Sequence, residues 1–555
     1  MYELLAQAYQ SRLRRYRAAL LRVRREGPGQ IQFWVIALLI GICAGVVAIA
    51  FREGIALLQT TVYGETDEQL HSHLSTLPWY WVLGIPVLGG LAVGLILWRF
   101  TPDGRGRSVA HVIEGAALGH GRVEKEAGLA SAAASLITLS TGGSTGREGP
   151  VVHMAALIAT KVSDWLRSSD MTARDLMGCA VAGAVSASFN APIAGALFAL
   201  EVVLRHFAIH AFAPIVVASV AGTVVSRLWS GDLPEFTLPT KELAFYIELP
   251  AFMVLGLVCG LVAVVMMKAI FWAEDIGDYI QDRLRLPIPL RPALAGVLLG
   301  LIAIQFPHII GVGYETTNRA LAGNLAFWTA VSFAVVKAAA VAITMAGRMG
   351  GGVFSPSLML GALTGLAFGS VATAIFPDIS GTEAIYALAG MGAVAAAVLG
   401  APISTTLIVF EMTGDWQAGI AVLVAISLSS AVAVNMVDKS FFLTQLERAG
   451  RHVAAGPQDY VLCTIAAGEL MRPRGAENGA SDTQSWSLVE QGAFLTRSDT
   501  LEAALPMFEQ IGGTMIPVVE EQENGPPELL GALFQVDALK AYNRALAEVA
   551  REEHS

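Results

Sequence analysis

The sequence predicts an all-α polytopic membrane protein built from two duplicated halves of broken helices, with a small α/β module after the last span. Three observations carry this. The 555 residues are 54% hydrophobic and only 15% charged, with a mean hydropathy of +0.57, against roughly 25% charged residues in soluble domains. Apolar segments interrupted by Gly and Pro follow one another from Ile31 to residue 437, several shorter than the roughly 20 residues of a full span. Landmarks of the first half recur in the second at nearly one offset.

In chain order, residues 1–29 read as a basic amphipathic helix. Arg12, Arg14, Arg15, Arg17, Arg22, Arg24 and Arg25 precede the first span, which predicts a cytoplasmic N-terminus. No apolar core with a small-residue cleavage site follows them, so a signal peptide is not expected. The basic run is short and abuts a span, which argues against nucleic-acid binding. The net charge of −10 comes from an acidic excess in the last hundred residues. Ile31–Ala50 is the first long apolar stretch. Trp79–Trp98 is the second, with Trp79, Tyr80, Trp81 and Trp98 at its ends like an interfacial aromatic belt. The halves are assigned to 30–235 and 236–450.

The repeat rests on two landmarks. Ala191-Pro192-Ile193 leads to Glu201, and Ala401-Pro402-Ile403 leads to Glu411, 210 residues on. Gly146–Pro150 has a counterpart in Gly350–Pro356, its Pro 206 residues on. Duplicated halves with broken helices at matching positions predict a site at their interface.

The segment Gly142–Met154 holds four glycines and the opposed charges Arg147 and Glu148 within apolar surroundings. Such charges are costly at membrane depth unless enclosed by protein or water. The glycines predict irregular backbone feeding a helix N-terminus, a ready anion site. An anion pathway with Glu148 standing in it is the expectation. Cys43, Cys179, Cys259 and Cys463 are scattered, read as buried packing residues, and no metal cluster is expected. An intramembrane enzyme would need a nucleophile–base or metal set. The chain has no HExxH and no paired intramembrane Asp, with only His153 near the motif; enzyme function is not expected.

Residues 456–555 are charged and loop-rich. Phe494–Leu495, Leu501–Phe508, Met515–Val519, Leu529–Phe534 and Val536–Ala545 read as strand, helix, strand, strand, helix. That is a small α/β unit suited to the cytoplasm.

Gly146-Arg147-Glu148-Gly149-Pro150, Gly351-Gly352-Val353-Phe354-Ser355-Pro356 and Phe189-Asn190-Ala191-Pro192 through Glu201 resemble, in order, the pore motifs of the CLC family of chloride channels and chloride/proton exchangers. The resemblance covers roughly residues 30–450, and the module at 456–555 is similar to a CBS domain. It implies inverted repeats of tilted, broken helices, a homodimer with one pore per subunit, and a multi-pass protein of the cell membrane with both termini cytoplasmic. Chloride would be the transported ion, with no cofactor beyond an adenine nucleotide at the CBS-like tail. By the same resemblance Glu148 is the gate. The backbone N–H groups of Arg147–Gly149, Val353 and Phe354 contact anions, Gly146 belongs to the same anion-binding set, and Ser108 and Phe442 line the central site.

Three departures from the family pattern set the mechanism expected from sequence. Arg107-Ser108-Val109-Ala110-His111 stands where Gly-Ser-Gly-Ile-Pro is usual; Ser108 keeps the hydroxyl, and His111 reads as a packing or interface residue. Phe442 replaces a tyrosine and loses its donor. Val202 stands where exchangers usually carry an inner proton-accepting glutamate, and Glu201 beside it reads as a cap at a helix end. With Glu148 present, Val202 apolar and Phe442 without a hydroxyl, a gated chloride channel is expected, while the altered segment around Ser108 points toward a fluoride-selective relative. A chloride/proton antiporter is the alternative, and a fluoride-selective relative stands behind it.

Overall fold

In the computed structural model, the described residues are 29–205, 209–231, 245–413, 416–451, 453, 462, 465–476, 478–520 and 528–554. The expected N-terminal amphipathic helix therefore lies outside them, as does Cys463. The chain divides into a helical unit (residues 1–204 and 211–449) and a second unit (205–210 and 450–555).

The helical unit opens with α1 (Gln30–Tyr63), α2 (Leu70–Leu74), α3 (Trp79–Phe100), α4 (Val109–Ala117), α5 (Lys125–Thr141), α6 (Glu148–Leu166), α7 (Asp170–Phe189), α8 (Pro192–Phe198) and α9 (Ile209–Ser230). It continues with α10 (Phe245–Leu284), α11 (Leu290–Gln305), α12 (Tyr314–Leu321), α13 (Phe327–Ala346), α14 (Phe354–Ile375), α15 (Glu383–Leu399), α16 (Pro402–Thr413), α17 (Trp416–Met436) and α18 (Phe441–Arg448). Among the described residues, seven helices are long and apolar enough to cross a membrane, while Pro192–Leu204, Leu290–Gln305 and Glu383–Leu399 are apolar but shorter. Short helices survive in such a setting because their backbone ends are enclosed by protein.

The apolar run 175–204, continuous in sequence, is broken in space. Helix α7 ends on Asn190 at φ +56°, and α8 begins two residues later at Pro192. Proline fits a first helical turn, where its missing N–H costs nothing. The second half repeats the device: α15 ends on Gly400 at φ +68°, and Pro402 starts α16. A left-handed residue suits Gly or Asn, so equivalent positions solve one backbone problem with the two permitted residues. After α8 the chain widens into a π-wound turn, Ala199–Leu204, which carries Glu201 and Val202.

The halves interlock by a reciprocal contact. Glu201 accepts from the N–H groups of Ile403 (2.9 Å) and Ser404 (2.7 Å) at the start of α16. Glu411 accepts from Ile193 (2.9 Å) and Ala194 (2.8 Å) at the start of α8. Each partner is displaced by the same 210 residues, so one interaction occurs twice under the repeat. The expected capping role of Glu201 is what the geometry shows. Cys179 and Cys259 are buried packing residues as expected, whereas Cys43 is exposed on the outer face of α1.

The second unit holds α19 (Ala467–Leu470), β1 (Arg472–Pro473), α20 (Asp482–Glu490), β2 (Leu495–Thr496), α21 (Leu501–Ile511), β3 (Met515–Glu520), β4 (Glu528–Phe534) and α22 (Gln535–His554). The sheet order is β1-β4-β3-β2, with β2 and β3 parallel and the other pairs antiparallel. Its core packs Leu495, Leu501, Phe508, Ile516, Val518 and Leu533. The closing helix runs well past the expected Ala545.

Candidate functional site: a passage between two chambers

The glycine-rich openings of the two halves meet head to head. Gly146 and Gly352 exchange hydrogen bonds, N–H of Gly146 to O of Gly352 at 2.7 Å and N–H of Gly352 to O of Gly146 at 2.9 Å. This is an isolated antiparallel bridge. The Thr145 hydroxyl adds a 2.8 Å bond to the Gly352 carbonyl. The crossing admits no side chain: a Cβ on Gly351 would lie 2.0 Å from Thr145 Oγ1, and Gly351 itself sits at φ +138°. The bridge brings the starts of α6 and α14 together. The first N–H groups of both helices, which have no intrahelical acceptor, converge there with their positive dipole ends.

Glu148 is the first residue of α6 and is buried. Its Oε1 accepts from the Ser355 hydroxyl on α14, and its Oε2 has no hydrogen-bond partner. The carboxylate folds toward Gly146, where an added Cβ would come within 2.7 Å of Oε2 and 3.1 Å of the Ser355 nitrogen. The side chain thus lies in the cradle formed by the two helix starts. A carboxylate and a halide are alternative occupants of such a cradle.

The site residues anticipated from sequence divide cleanly. Ser108, Glu148, Gly149, Val353, Phe354 and Phe442 line one small cavity of about 10 Å³. Gly146 requires a correction: its N–H is spent on the Gly352 carbonyl, so it closes the crossing instead of offering a donor to an anion. Arg147 lies outside this cavity, its guanidinium over the Tyr314 ring at 5.0 Å from the centroid. Ser108 stands at the N-cap position of α4, but its hydroxyl makes no hydrogen bond. Its own N–H donates to Nδ1 of His111 at 3.2 Å. His111 thus accepts from the backbone at the bend where glycine and proline stand in the usual motif, a local contact beside the packing or interface role expected from sequence.

Ser355 was not anticipated. The signal was present as a hydroxyl inside the second glycine-rich motif, but its partner is 207 residues away.

Two larger chambers flank the passage. One, of about 650 Å³, is lined by residues including Arg52, Gln59, Asp67, Arg147 and Tyr314. The other, of about 60 Å³, is lined by residues including Arg105, Ser108, Glu274, Asp278, Arg291 and Arg348. They lie at opposite ends of α3. The Trp81 indole at its start donates to the Val62 carbonyl at 3.0 Å, close in sequence to Asp67, and Arg105 follows its last residue, Phe100. The 22 residues of α3 span about 33 Å at ~1.5 Å per residue. Arg147 and Glu148 are adjacent, and Ser108 belongs to both the passage and the smaller chamber. The order is therefore Asp67 chamber, Arg147, Glu148, passage, Ser108, Arg105 chamber.

The model of the voltage-gated chloride channel family matches residues 89–434. The chain belongs to the CLC family. A ClcB-like relative from Ralstonia nicotianae is 33% identical over 398 residues, covering 70% of this chain and 91% of its own length. The H(+)/Cl(-) exchange transporter ClcA of Vibrio cholerae is 28% identical over 417 residues, covering 74% of this chain and 88% of its own length. Among solved structures, a slow cyanobacterial Cl-/H+ antiporter aligns with a TM-score of 0.65 at 23% identity, covering 75% of this chain and 97% of that one. These findings identify an integral multi-pass membrane protein of the CLC fold, with the duplicated halves described above.

Proposed function

We propose that the chain carries chloride across a membrane in exchange for protons, with Glu148 as the gate both ions use. The observation that carries this reading is the position of the Glu148 carboxylate. It occupies the cradle between two helix starts, held by Ser355 on one oxygen, on a line between two polar chambers. An anion can enter only when the carboxylate leaves. A carboxylate that leaves as the neutral acid takes a proton with it, so the two movements share one step. Likeness to an exchanger along most of that relative's length adds support. Helix ends and N–H groups hold a halide without a fixed full charge, so the ion can also depart.

This reading takes the place of the gated channel expected from sequence. That expectation rested on Glu148 present, Val202 apolar and Phe442 without a hydroxyl; the last two bear on proton entry and central-site affinity, not on the gate. The rest of the assignment follows the family resemblance: a homodimer of the cell membrane, halves at 30–235 and 236–450, cytoplasmic termini, and a CBS-like tail at 456–555. Arg147, Gly149, Val353, Phe354, Ser108 and Phe442 are the proposed surroundings of the anion.

The test is transport by purified protein in liposomes. A chloride gradient should drive protons uphill, and the reversal potential should move with a proton gradient. A reversal potential that ignores pH returns the protein to the channel reading. Competition by fluoride, nitrate and bromide for flux measures selectivity.

A further inference from the structure

The exchanger reading leaves a gap. Protons must reach Glu148 from the Arg105 chamber, yet the position that resembles the family's inner acceptor is Val202, which is buried and cannot carry a proton. We infer that Glu274, on α10 in the wall of the Arg105 chamber, is the proton-accepting carboxylate of that side. The inference rests on the exchanger reading.

The neighbouring charges are already engaged. Asp278 lies one helical turn after Glu274, on the same face. It is committed to three guanidinium groups: Arg105 at 3.1 Å, Arg348 at 3.0 Å, and Arg291. Arg448, on α18, pairs with Asp275. Arg291 passes close to Glu274 but donates to its main-chain carbonyl, at 3.4 Å. The Glu274 carboxylate itself has no hydrogen bond or ion pair among the described residues. It is half-buried and lines the chamber that Ser108 also lines. Gln445, the neutral group that α18 contributes to this wall, adds no charge.

A carboxylate with no hydrogen bond or ion pair of its own, at a polar chamber that opens on the passage, can take a proton from hydronium. It can return the proton to water for delivery past the Ser108 hydroxyl to Glu148. Only O–H bonds form and break, and Glu274 ends each cycle ionised. The chamber also links the two ions. Three guanidinium groups face two carboxylates there, leaving one positive charge in excess, and two once Glu274 is protonated. A chloride entering the chamber offsets that excess and so favours protonation. Asp278 cannot exchange roles with Glu274 without releasing three arginines.

The experiment is simultaneous recording of chloride and proton flux in liposomes. Glu274→Gln is expected to lower proton flux tenfold or more while chloride still passes. Glu274→Asp, which keeps an ionisable group, should retain coupling. Introducing a carboxylate by Val202→Glu should restore proton flux to the E274Q protein. An unchanged proton-to-chloride ratio in E274Q overturns the assignment. So does a loss of both fluxes in equal proportion, which would make Glu274 part of anion entry. Should E274Q fail to fold, E274D decides: loss of coupling in that variant, with chloride flux intact, overturns the role. Absence of proton movement in the unaltered protein defeats the exchanger reading itself, and this role with it.

Discussion

The Ser355 hydroxyl donates to Glu148 Oε1, so the first turn of one repeat's helix holds the carboxylate proposed as the gate at the start of the other. The bond crosses the interface between the halves. It links the anion pathway to the contact that joins the two repeats.

Ser355→Ala removes this donor without adding bulk. A hydrogen bond to a charged group contributes about 1.5–3 kcal/mol, so the carboxylate should leave the cradle more readily. Chloride turnover in liposomes is expected to rise by roughly tenfold, since about 1.4 kcal/mol is a tenfold change. Unchanged turnover would mean that the hydroxyl does not restrain the gate.

Gly146→Ala tests the cradle from the opposite wall. Its Cβ would stand 2.7 Å from Glu148 Oε2, inside contact distance. The carboxylate should be displaced and chloride should leak when the gate is normally closed. Gly351→Ala meets Thr145 at 2.0 Å and needs a positive φ. It is expected to fail at assembly of the crossing, with loss of monodisperse protein by size-exclusion chromatography.

The reciprocal caps make a symmetric expectation. Glu201→Gln and Glu411→Gln each weaken two bonds to a helix start, at about 1–2 kcal/mol. Thermal unfolding in detergent should move down by similar amounts for both. The proton-to-chloride ratio should be untouched by E201Q, because this carboxylate is engaged by backbone N–H groups and not by a proton route. A lost ratio in E201Q would remove the capping interpretation.

Asp67 supplies a pH dependence. Burial raises its carboxyl to about 6, against the lowering effect of the Tyr314 and Gly313 N–H groups and the Lys337 charge. The folded value lies above the unfolded one, near 3.8. The contribution is therefore full below about pH 4 and is lost as pH rises to 6. Unfolding temperature measured from pH 4 to 8 should fall across that window. Asp67→Asn should flatten the step. The Asp67 carboxylate binds the start of α12 through Gly313 and Tyr314 at 3.1 and 3.3 Å, and Tyr314 lies under Arg147, so chloride flux should change over the same range.

Much of the pathway was legible because charge is rare in this chain. Arg147 and Glu148 in a glycine break, and paired Pro-to-Glu intervals, were visible without coordinates. The capping role of Glu201 followed from its place in that interval. Ser355 and Glu274 were not legible as partners of the passage. A hydroxyl in a motif and a carboxylate near the end of a long helix look ordinary until distant segments are brought beside Glu148 and Ser108. Gly146 was misread for a similar reason. Sequence shows that an N–H is present, whereas only the crossing with Gly352 shows that it is already used.

The sequence by itself determined the membrane-spanning class, the duplication, the broken helices and the place of a buried carboxylate, Glu148, at the start of a helix. Periodicity, proline and glycine act locally, and buried charge is costly wherever it falls. Tertiary structure alone decided which N–H groups remain available, which hydroxyl holds Glu148, and which carboxylate in the Arg105 chamber makes no hydrogen bond or ion pair among the described residues. Those are properties of pairs, set when segments some 200 residues apart in the chain share one few-ångström space.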